Sequence, residues 1–597
     1  MQIVSFDHYD NLADGNRIRI EPIPPNRGFI YDRNGTVLAE NLPTFQLTLV
    51  PEEIVDINNT IATLKQIIPI SKEQVESFKK RRKRFNSFEQ IPLIMNLNES
   101  ALANIAANLV HLKGVHIRAR LSRHYPYSGN LVHTVGYVGS INDRELQQID
   151  TKSYSGTSHI GKTGIELSLE DVLLGQVGYR QVLVNAEGRT LEVIEEDAPR
   201  SGSDVTLTID AKLQAIAIEA MQGRRGAIIA IDPNNGEILT MLSSPTFDGN
   251  GFSQGLTQAE FDLLLNNKDK PLLNRALAGS YPPGSTIKPM LGLAGLELGK
   301  IRHQHTSFCP GFFKLPNNPR PYRDWQREGH GTVDLEESIE VSCDIFYYEL
   351  ALELGIDSMH DYLKQFQLGS VINPGIAGSK RGVLPNKEWK KSNFKSPGDQ
   401  AWFPGETVIA GIGQGYMLTT PLQLATATAI TAMRGEYVHP HLIKDISNLN
   451  QLNLSEDRRN QINNTLDQDT SIAVVAKDYN WRKVIKGMED VMTGFKGTAR
   501  NVQRKTDISI AGKSGTAQVF SLGEDEEYDE SELEERLRDH ALFIAFAPID
   551  NPQIAVAVII ENAGGGSTTA GPVAVQVIEE YLSKTPAVNQ STANINH

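Results

Sequence analysis

Cysteine is almost missing from this chain. Cys309 and Cys343 are the only two in 597 residues, too few to separate an oxidising compartment from a reducing one. Long apolar runs are missing too. Nothing reaches the roughly eighteen apolar residues that a membrane-spanning helix needs, and the longest candidate, PLQLATATAITAM at Pro421 to Met433, is short and rich in threonine. The stretch Met1 to Gly28 has neither the charged start nor the apolar centre of a secretory signal; taken alone, that reads as cytosolic. Positive charge is in deficit. Lysine and arginine number 58 against 72 acids, a net charge of −14, so a phosphate backbone is repelled and nucleic acid is not an expected partner.

A hydrophobic content of 40% rules out wholesale disorder. The length allows about four domains at the usual size, and fewer, larger ones are expected. RGFIYDRNGTVLAENLPTFQLTLVP alternates around Asn34-Gly35 and predicts a β-hairpin. Ile54 to Leu112 reads as helical, interrupted by the basic run KKRRKRF at Lys79 to Phe85, a solvated helix face. LVHTVGYVGSIN and GQVGYRQVLVNAEGRTLEV read as strand-rich, and Ala198 to Asp210 as a linker. Beyond it, the helix candidate AKLQAIAIEAMQ precedes two apolar runs joined by Pro233-Asn234-Asn235-Gly236, a hairpin signal. DISIAGKSGTAQVF and HALFIAFAPIDNPQIAVAVIIEN supply three more strands near the other end. Strands at both ends with helices between predict an α+β domain, one antiparallel sheet covered by helices, over about 380 residues. The expected division is an elongated mixed domain at 1–200, the α+β domain at 201–585 and a disordered tail at 586–597.

Chemistry concentrates in GSYPPGSTIKPMLGLAGLELGK. Ser-x-x-Lys occurs three times, at Ser77/Lys80, Ser285/Lys288 and Ser392/Lys395. Ser77 adjoins the basic run and Ser392 lies in a hydrophilic stretch, so both read as surface residues. Ser285 alone follows Pro-Pro-Gly and opens a run apolar nearly all round, the pattern of a helix buried in a core. Its hydroxyl then lies near the positive end of the helix dipole, with Lys288 one turn on. Such a lysine serves as a base only where burial beside other cations loosens its proton. The alternative is that Ser285 is merely a helix cap.

Two further strings separate these readings. Ser342-Cys343-Asp344 opens the helix candidate SCDIFYYELALELG, and Lys513-Ser514-Gly515-Thr516 lies on a strand. In this order the strings resemble the SxxK, SxN and K[ST]G set of penicillin-binding proteins and serine β-lactamases. Lys162-Thr163-Gly164 also spells K-T-G, but it precedes Ser285 and leads into a helix-like run. NRIRIEPIPPNRGFIYDRNGTVLAEN, GKTGIELSLEDVLLGQVGYRQVLVNAEGR and FPGETVIAGIGQGYMLTTPLQLA extend the resemblance over nearly the whole chain, to the class B penicillin-binding proteins. Ser-x-Asp and YRDWQREGHG at Tyr322 to Gly331 favour the elongation-specific over the division-specific branch.

That resemblance implies a transpeptidase domain behind a pedestal, and a reaction needing no cofactor. Ser285 would attack the penultimate carbonyl of a D-alanyl-D-alanine stem peptide, with Lys288 taking its proton. Ser342 would relay a proton to the departing D-alanine, while Lys513 holds the region electropositive. Ser514 and Thr516 would grip the terminal carboxylate, with Gly515 between them, and the backbone N–H groups of Ser285 and Thr516 would form an oxyanion hole. Asp344 departs from the commoner asparagine, and pairing with Lys288 would oppose the role of that lysine as base. The Glu-x-x-Leu-Asn element that soluble β-lactamases use for deacylation does not occur between Ser342 and Lys513, so a long-lived adduct with β-lactams is expected. A division-type enzyme and a non-catalytic β-lactam sensor or scaffold remain as alternatives.

Cys309-x14-Asp324-x5-His330-x12-Cys343 offers ligand types that suit tetrahedral zinc in a structural role, against a disulfide or two unrelated thiols; His303 and His305 are reserve ligands. The resemblance also reverses the cytosolic reading. Family members sit on the periplasmic side of the Gram-negative inner membrane behind one N-terminal membrane helix, so Met1 is expected to begin a truncated chain. It implies as partners a RodA-type glycosyltransferase and an MreC-type scaffold. The acidic Gly523 to Asp539 is expected as a mobile or helical surface insertion.

Overall fold

The computed structural model describes residues 18–83, 86–185, 190–316, 321–452, 454–466, 469–503, 506–519 and 534–584. Its catalytic-half sheet follows from four strings that are apolar or small without interruption. GAIIAI, ILTMLSS, HALFIAFA and IAVAVII form strands Gly226–Ile231, Ile238–Ser244, His540–Ala547 and Ile554–Ile560, buried along nearly their whole length. An uninterrupted apolar run, rather than an alternating one, means cover on both faces. The strands are antiparallel in the order Ile238–Ser244, Gly226–Ile231, Ile554–Ile560, His540–Ala547, Ala511–Ala517. Early and late segments thus close one sheet, as expected, and the strand carrying Lys513 is its edge. Helices Pro421–Ala432, Gly571–Lys584 and Ala211–Met221 pack on it. Among the described residues no helix is long and apolar enough to cross a membrane.

Among the described residues the first half contains two larger sheets besides the short antiparallel pair Val138–Ser140 and His159–Gly161. Ile18–Ile23, Gly178–Val184 and Thr190–Asp197 make one. In the other, Ile30–Tyr31 and Val37–Leu49 form the expected hairpin, with Gly35 at φ 84° in its turn. Val37–Leu49 also pairs with Ile91–Leu97 and Val115–His124. The stretch expected as a linker carries strand Val205–Leu207, which joins this same sheet between Ile30–Tyr31 and Ile443–Ile446. The two halves are therefore stitched by backbone hydrogen bonds, and Ile30, Leu38, Tyr125 and Ile165 belong to the same core as the catalytic sheet. Leu47, Leu64, Phe78, Ile91 and Ile105 form a separate small core.

Two readings of the sequence are corrected here. LVHTV, expected in a strand, lies in helix Ser128–Val135, where Leu131, Val132 and Val135 bury one face; β-branched content misled where spacing was helical. Ile91–Leu97, inside the stretch read as helical, is a strand, because a seven-residue apolar run does not distinguish the two by period. The basic run ends helix Lys72–Arg82 with Lys79, Lys80 and Arg82 exposed, which suits the negative end of a helix dipole; Arg84 and Phe85 lie outside the described residues. So do 586–597 and most of the acidic insertion. Of that insertion, Glu535 pairs with Arg225 and Arg536 with Asp269.

A fully buried carboxylate, Glu166, locks the first half. Arg27 Nε donates to it at 2.6 Å, Arg123 Nε at 2.7 Å and the Tyr125 hydroxyl at 3.2 Å. Burial opposes its ionisation, but Arg123 and Arg27 outweigh burial and hold its pKa below the ordinary value of 4.5. The stability this contributes is present above that value and is lost as pH falls through the lower folded one. Glu166→Ala leaves the buried Arg123 guanidinium without a carboxylate, while Arg27 keeps Glu170 at 2.6 Å, a loss of about 3–5 kcal/mol readable by thermal melting. Glu166→Gln is expected to remove the acid-side slope that the parent shows below that pH.

Candidate active site

Gly284 decides where Ser285 sits. Its φ is 56°, and a Cβ there would lie 2.6 Å from the Thr516 carbonyl oxygen, so only glycine lets this turn wedge against the edge strand. Gly284 N also donates to Gly413 O at 2.9 Å. Ser285 rides in a single 3-10 turn, Gly284–Ile287, running into helix Lys288–Glu297, which is buried from Lys288 to Leu296. Ser285 itself is half-buried, and its turn shows no side-chain cap bond. Ser77 and Ser392, the other candidates, are paired with exposed lysines.

Two buried amines converge on the Ser342 residue. Lys288 Nζ donates to Ser342 O at 2.8 Å and to Asp344 Oδ1 at 2.7 Å, and lies 3.4 Å from Ser342 Oγ. Lys513 Nζ donates to Ser342 Oγ at 2.9 Å and to Ser514 O at 3.1 Å. Both lysines are completely shielded from solvent. Ser342 takes φ 57°, a left-handed conformation costing a non-glycine residue about 1–3 kcal/mol, and that bend turns its hydroxyl between the amines. Burial, then the Lys288 charge, pushes the Lys513 ammonium well below the usual lysine range.

Beyond these, the structure adds Thr498 and Gln414. Thr498 Oγ1 lies 3.2 Å from Ser514 Oγ, and Gln414 Nε2 donates to Thr516 O at 2.8 Å. Neither was found from sequence: a threonine and a glutamine in glycine-rich loops carry no local signal. Ser514 is half-buried and Thr516 exposed. Lys162, the decoy, pairs with Glu145.

Asp324 is the hinge of a second cluster. Its Oδ2 accepts from Asp344 N at 2.8 Å and Ile345 N at 3.4 Å, so a carboxylate from a distant loop caps helix Asp344–Leu354, whose own residue at the cap, Cys343, makes no side-chain cap bond. The same carboxylate reaches Cys309 Sγ at 3.5 Å and His330 Nδ1 at 3.5 Å, while Cys309 Sγ and His330 Nδ1 are 3.6 Å apart. With Cys343, these four donors lie within 4.8 Å of one another. Burial opposes ionisation of Asp324, but the bonds from His330 and the Gln326 backbone prevail and bring it to about 2. Burial pushes both thiols up.

The cysteines are not joined to each other, which overturns the disulfide alternative. Tetrahedral bonds of about 2.0–2.3 Å put neighbouring ligand atoms roughly 3.3–3.8 Å apart, and the separations among Cys309, Asp324 and His330, 3.5 to 3.6 Å, fall in that range. The donor set therefore fits a tetrahedral metal. His303 and His305 lie outside this cluster; His303 instead meets Asn480 and Tyr479.

A serine turn wedged on an edge strand, and a second serine held between two buried amines beside an antiparallel sheet, define a serine acyltransferase of the penicillin-recognising kind. The chain belongs to the penicillin-binding proteins: residues 226–579 match the penicillin-binding protein transpeptidase domain and 22–207 the penicillin-binding protein dimerisation domain. It is 41% identical to peptidoglycan D,D-transpeptidase MrdA of Acinetobacter baumannii, covering 96% of this chain and 82% of the relative. Identity to MrdA of Escherichia coli K12 is 37%, over 99% and 93%. Among solved structures, PBP2 of Pseudomonas aeruginosa in complex with WCK 5153 is similar at 38% identity and a TM-score of 0.69, covering 94% of this chain and 97% of that one. The Helicobacter pylori complex of PBP2 with MreC gives 28% and 0.77, over 95% and 99%.

Proposed function

We propose that this protein is a peptidoglycan D,D-transpeptidase of cell elongation, acting through an acyl-enzyme on Ser285 and trapped there by β-lactams. The observation carrying this is the Ser342 hydroxyl held between Lys288 and Lys513, next to a serine turn seated on Thr516. Ser285 Oγ attacks the carbonyl of the penultimate D-alanine, and its proton passes to Lys288. Ser342 O and Asp344 Oδ1 accept two N–H groups of Lys288 and orient its nitrogen, which acts as base once its third proton has left, a step that the Asp344 charge opposes. Asp344 is thus a positioning residue. The C–N bond of the terminal dipeptide breaks, and the leaving amine takes a proton through Ser342. An ammonium that holds its proton loosely is a good acid, so Lys513 supplies that proton to Ser342 rather than serving only as a fixed charge. Ser514 and Thr516 bind the terminal carboxylate, with the N–H groups of Ser285 and Thr516 as oxyanion donors. The amine of a second stem then attacks the acyl carbonyl, forming the new C–N bond as the Oγ–C ester bond breaks; the proton it loses returns through Ser342 to Lys513, and Lys288 gives its proton back to Oγ.

Around this centre we place a pedestal at 1–200 and the transpeptidase domain at 201–585. Zinc on Cys309, Asp324, His330 and Cys343 would tie the 309–330 loop to the Ser342 helix, a structural role that leaves the reaction free of cofactors. We place the protein on the periplasmic side of the inner membrane, with MreC-type and RodA-type partners docking on the pedestal; the solved complex of Helicobacter pylori PBP2 with MreC supports the first of these. Crosslink formation is the test that separates an enzyme from a β-lactam sensor. Given pentapeptide-bearing glycan strands, the protein with its polymerase partner is expected to release D-alanine and form dimeric stems. Penicillin binding without either product would leave only the sensor.

A further inference from the structure

Three segments carry the reacting groups, and a fourth touches all of them. Helix Pro404–Ala410 packs on helix Asp344–Leu354, the helix that follows Ser342. In the loop beyond it, Gly413 O accepts from Gly284 N at 2.9 Å, beside Ser285, and Gln414 Nε2 donates to Thr516 O at 2.8 Å on the Lys513 strand. Gly413 has φ 71°, and a Cβ there would lie 2.3 Å from Gly284 O, so this approach admits only glycine. Gln414 is buried. Its backbone N donates to Ile409 O at 3.2 Å, and Gly413 N donates to Ala410 O at 3.0 Å, which folds the loop back on its own helix.

Both flanks of Gly413-Gln414 are pinned by one buried cation. Lys390, its side chain 3% exposed, pairs with Glu406 of the same helix and donates to Ala401 O at 2.7 Å. The rings of Trp402, Phe403 and Tyr416 stand around its ammonium, 5.2 to 5.7 Å from nitrogen to ring centre. Tyr416 lies two residues past Gln414, so the cage grips the chain before and after the loop. A glutamine held this way carries its amide to Thr516 at a fixed distance from Gly284.

We infer, resting on the acyltransferase reading above, that Gln414 is a positioning residue that sets the width of the oxyanion hole. The N–H of Ser285 follows directly on Gly284, which Gly413 holds, and the other N–H belongs to Thr516, which Gln414 holds. Two consecutive residues of one chain thus fix the two donors relative to each other. The tetrahedral oxyanion is stabilised only where both donors reach it at about 2.7–3.1 Å, and small misplacements cost rate steeply. Loosening Thr516 therefore penalises the transition state far more than the bound ligand. Gln414 itself takes no proton and does not contact the reacting atoms.

The test is rapid-mixing kinetics with benzylpenicillin, which separates the dissociation constant of the first complex from the rate constant of acylation. Gln414→Met keeps the side-chain length and removes the N–H. It is expected to lower the acylation rate constant about 10- to 100-fold, to change the dissociation constant less than about twofold, and to melt near the parent. Hydrolysis of its acyl-enzyme, which passes through a second oxyanion, should slow by a similar factor. Gln414→Glu supplies a rescue, because its carboxylate has no proton to give Thr516 O and its carboxylic acid has one. Its deficit relative to the parent at the same pH is expected to shrink as pH falls. A parental rate constant in Gln414→Met, a loss confined to the dissociation constant, or a Gln414→Glu deficit that does not move with pH overturns the inference. Should Gln414→Met melt well below the parent, the pH dependence of Gln414→Glu decides alone. A parent that forms no Ser285 adduct would instead sink the acyltransferase reading on which the inference rests.

Discussion

Lys288→Met is expected to slow acylation of Ser285 by benzylpenicillin about 10^2- to 10^4-fold, the usual worth of a positioned general base. It should also destabilise the protein. Asp344 is buried, and its Oδ1 accepts from Lys288 at 2.7 Å while, among the described residues, Oδ2 has only the Trp325 N–H at 3.3 Å. Without the amine a carboxylate is left in the core with one weak donor, which costs about 3–5 kcal/mol. The double variant Lys288→Met/Asp344→Asn removes that charge, so its melting temperature should recover while acylation does not. This divergence between stability and rate is what a base predicts. If the double variant regained acylation along with stability, Lys288 would be a structural cation and the proton of Ser285 would have another acceptor.

The second large effect concerns the cluster behind the helix. Asp324 caps Asp344–Leu354 and also faces the thiols, so replacing it confounds two roles. Cys309→Ser separates them, because it leaves the cap in place and removes only a soft ligand. Metal analysis of unreduced protein is expected to find about one zinc per chain in the parent and far less in the variant. The variant should melt about 5 °C lower or more. A strong chelator should bring the parent down to the same temperature and leave the variant where it is. A parent free of metal, melting together with Cys309→Ser, would reduce the cluster to packed thiols.

How far the sequence disclosed all this differs from place to place. The catalytic sheet was legible because its strands are uninterrupted apolar runs in sequence. Ser285 was legible because, of three Ser-x-x-Lys strings, only one opens a buried helix. The four metal-type donors could be named together because cysteine is so scarce that two of its ligands had no rivals. What escaped was set by partners far along the chain. Val205–Leu207 is a strand only because Ile443–Ile446 and Ile30–Tyr31 lie on either side of it. Thr498 and Gln414 matter through Ser514 and Thr516, and nothing near them in sequence says so. Asp324 was expected as a ligand, yet its capping of a helix that starts twenty residues later has no local signature. The left-handed Ser342, which sets its hydroxyl between two amines, could not be read from Ser-Cys-Asp.

The central claim is that one hydroxyl, chosen by its seat on the edge strand, does the acyl transfer. Incubation of the protein with benzylpenicillin, followed by digestion and mapping of the modified peptide, tests it most directly. The account predicts a single adduct carried by Ser285 and absent from Ser285→Ala. An adduct on Ser342, Ser514 or any other residue, or one that survives Ser285→Ala, would contradict it.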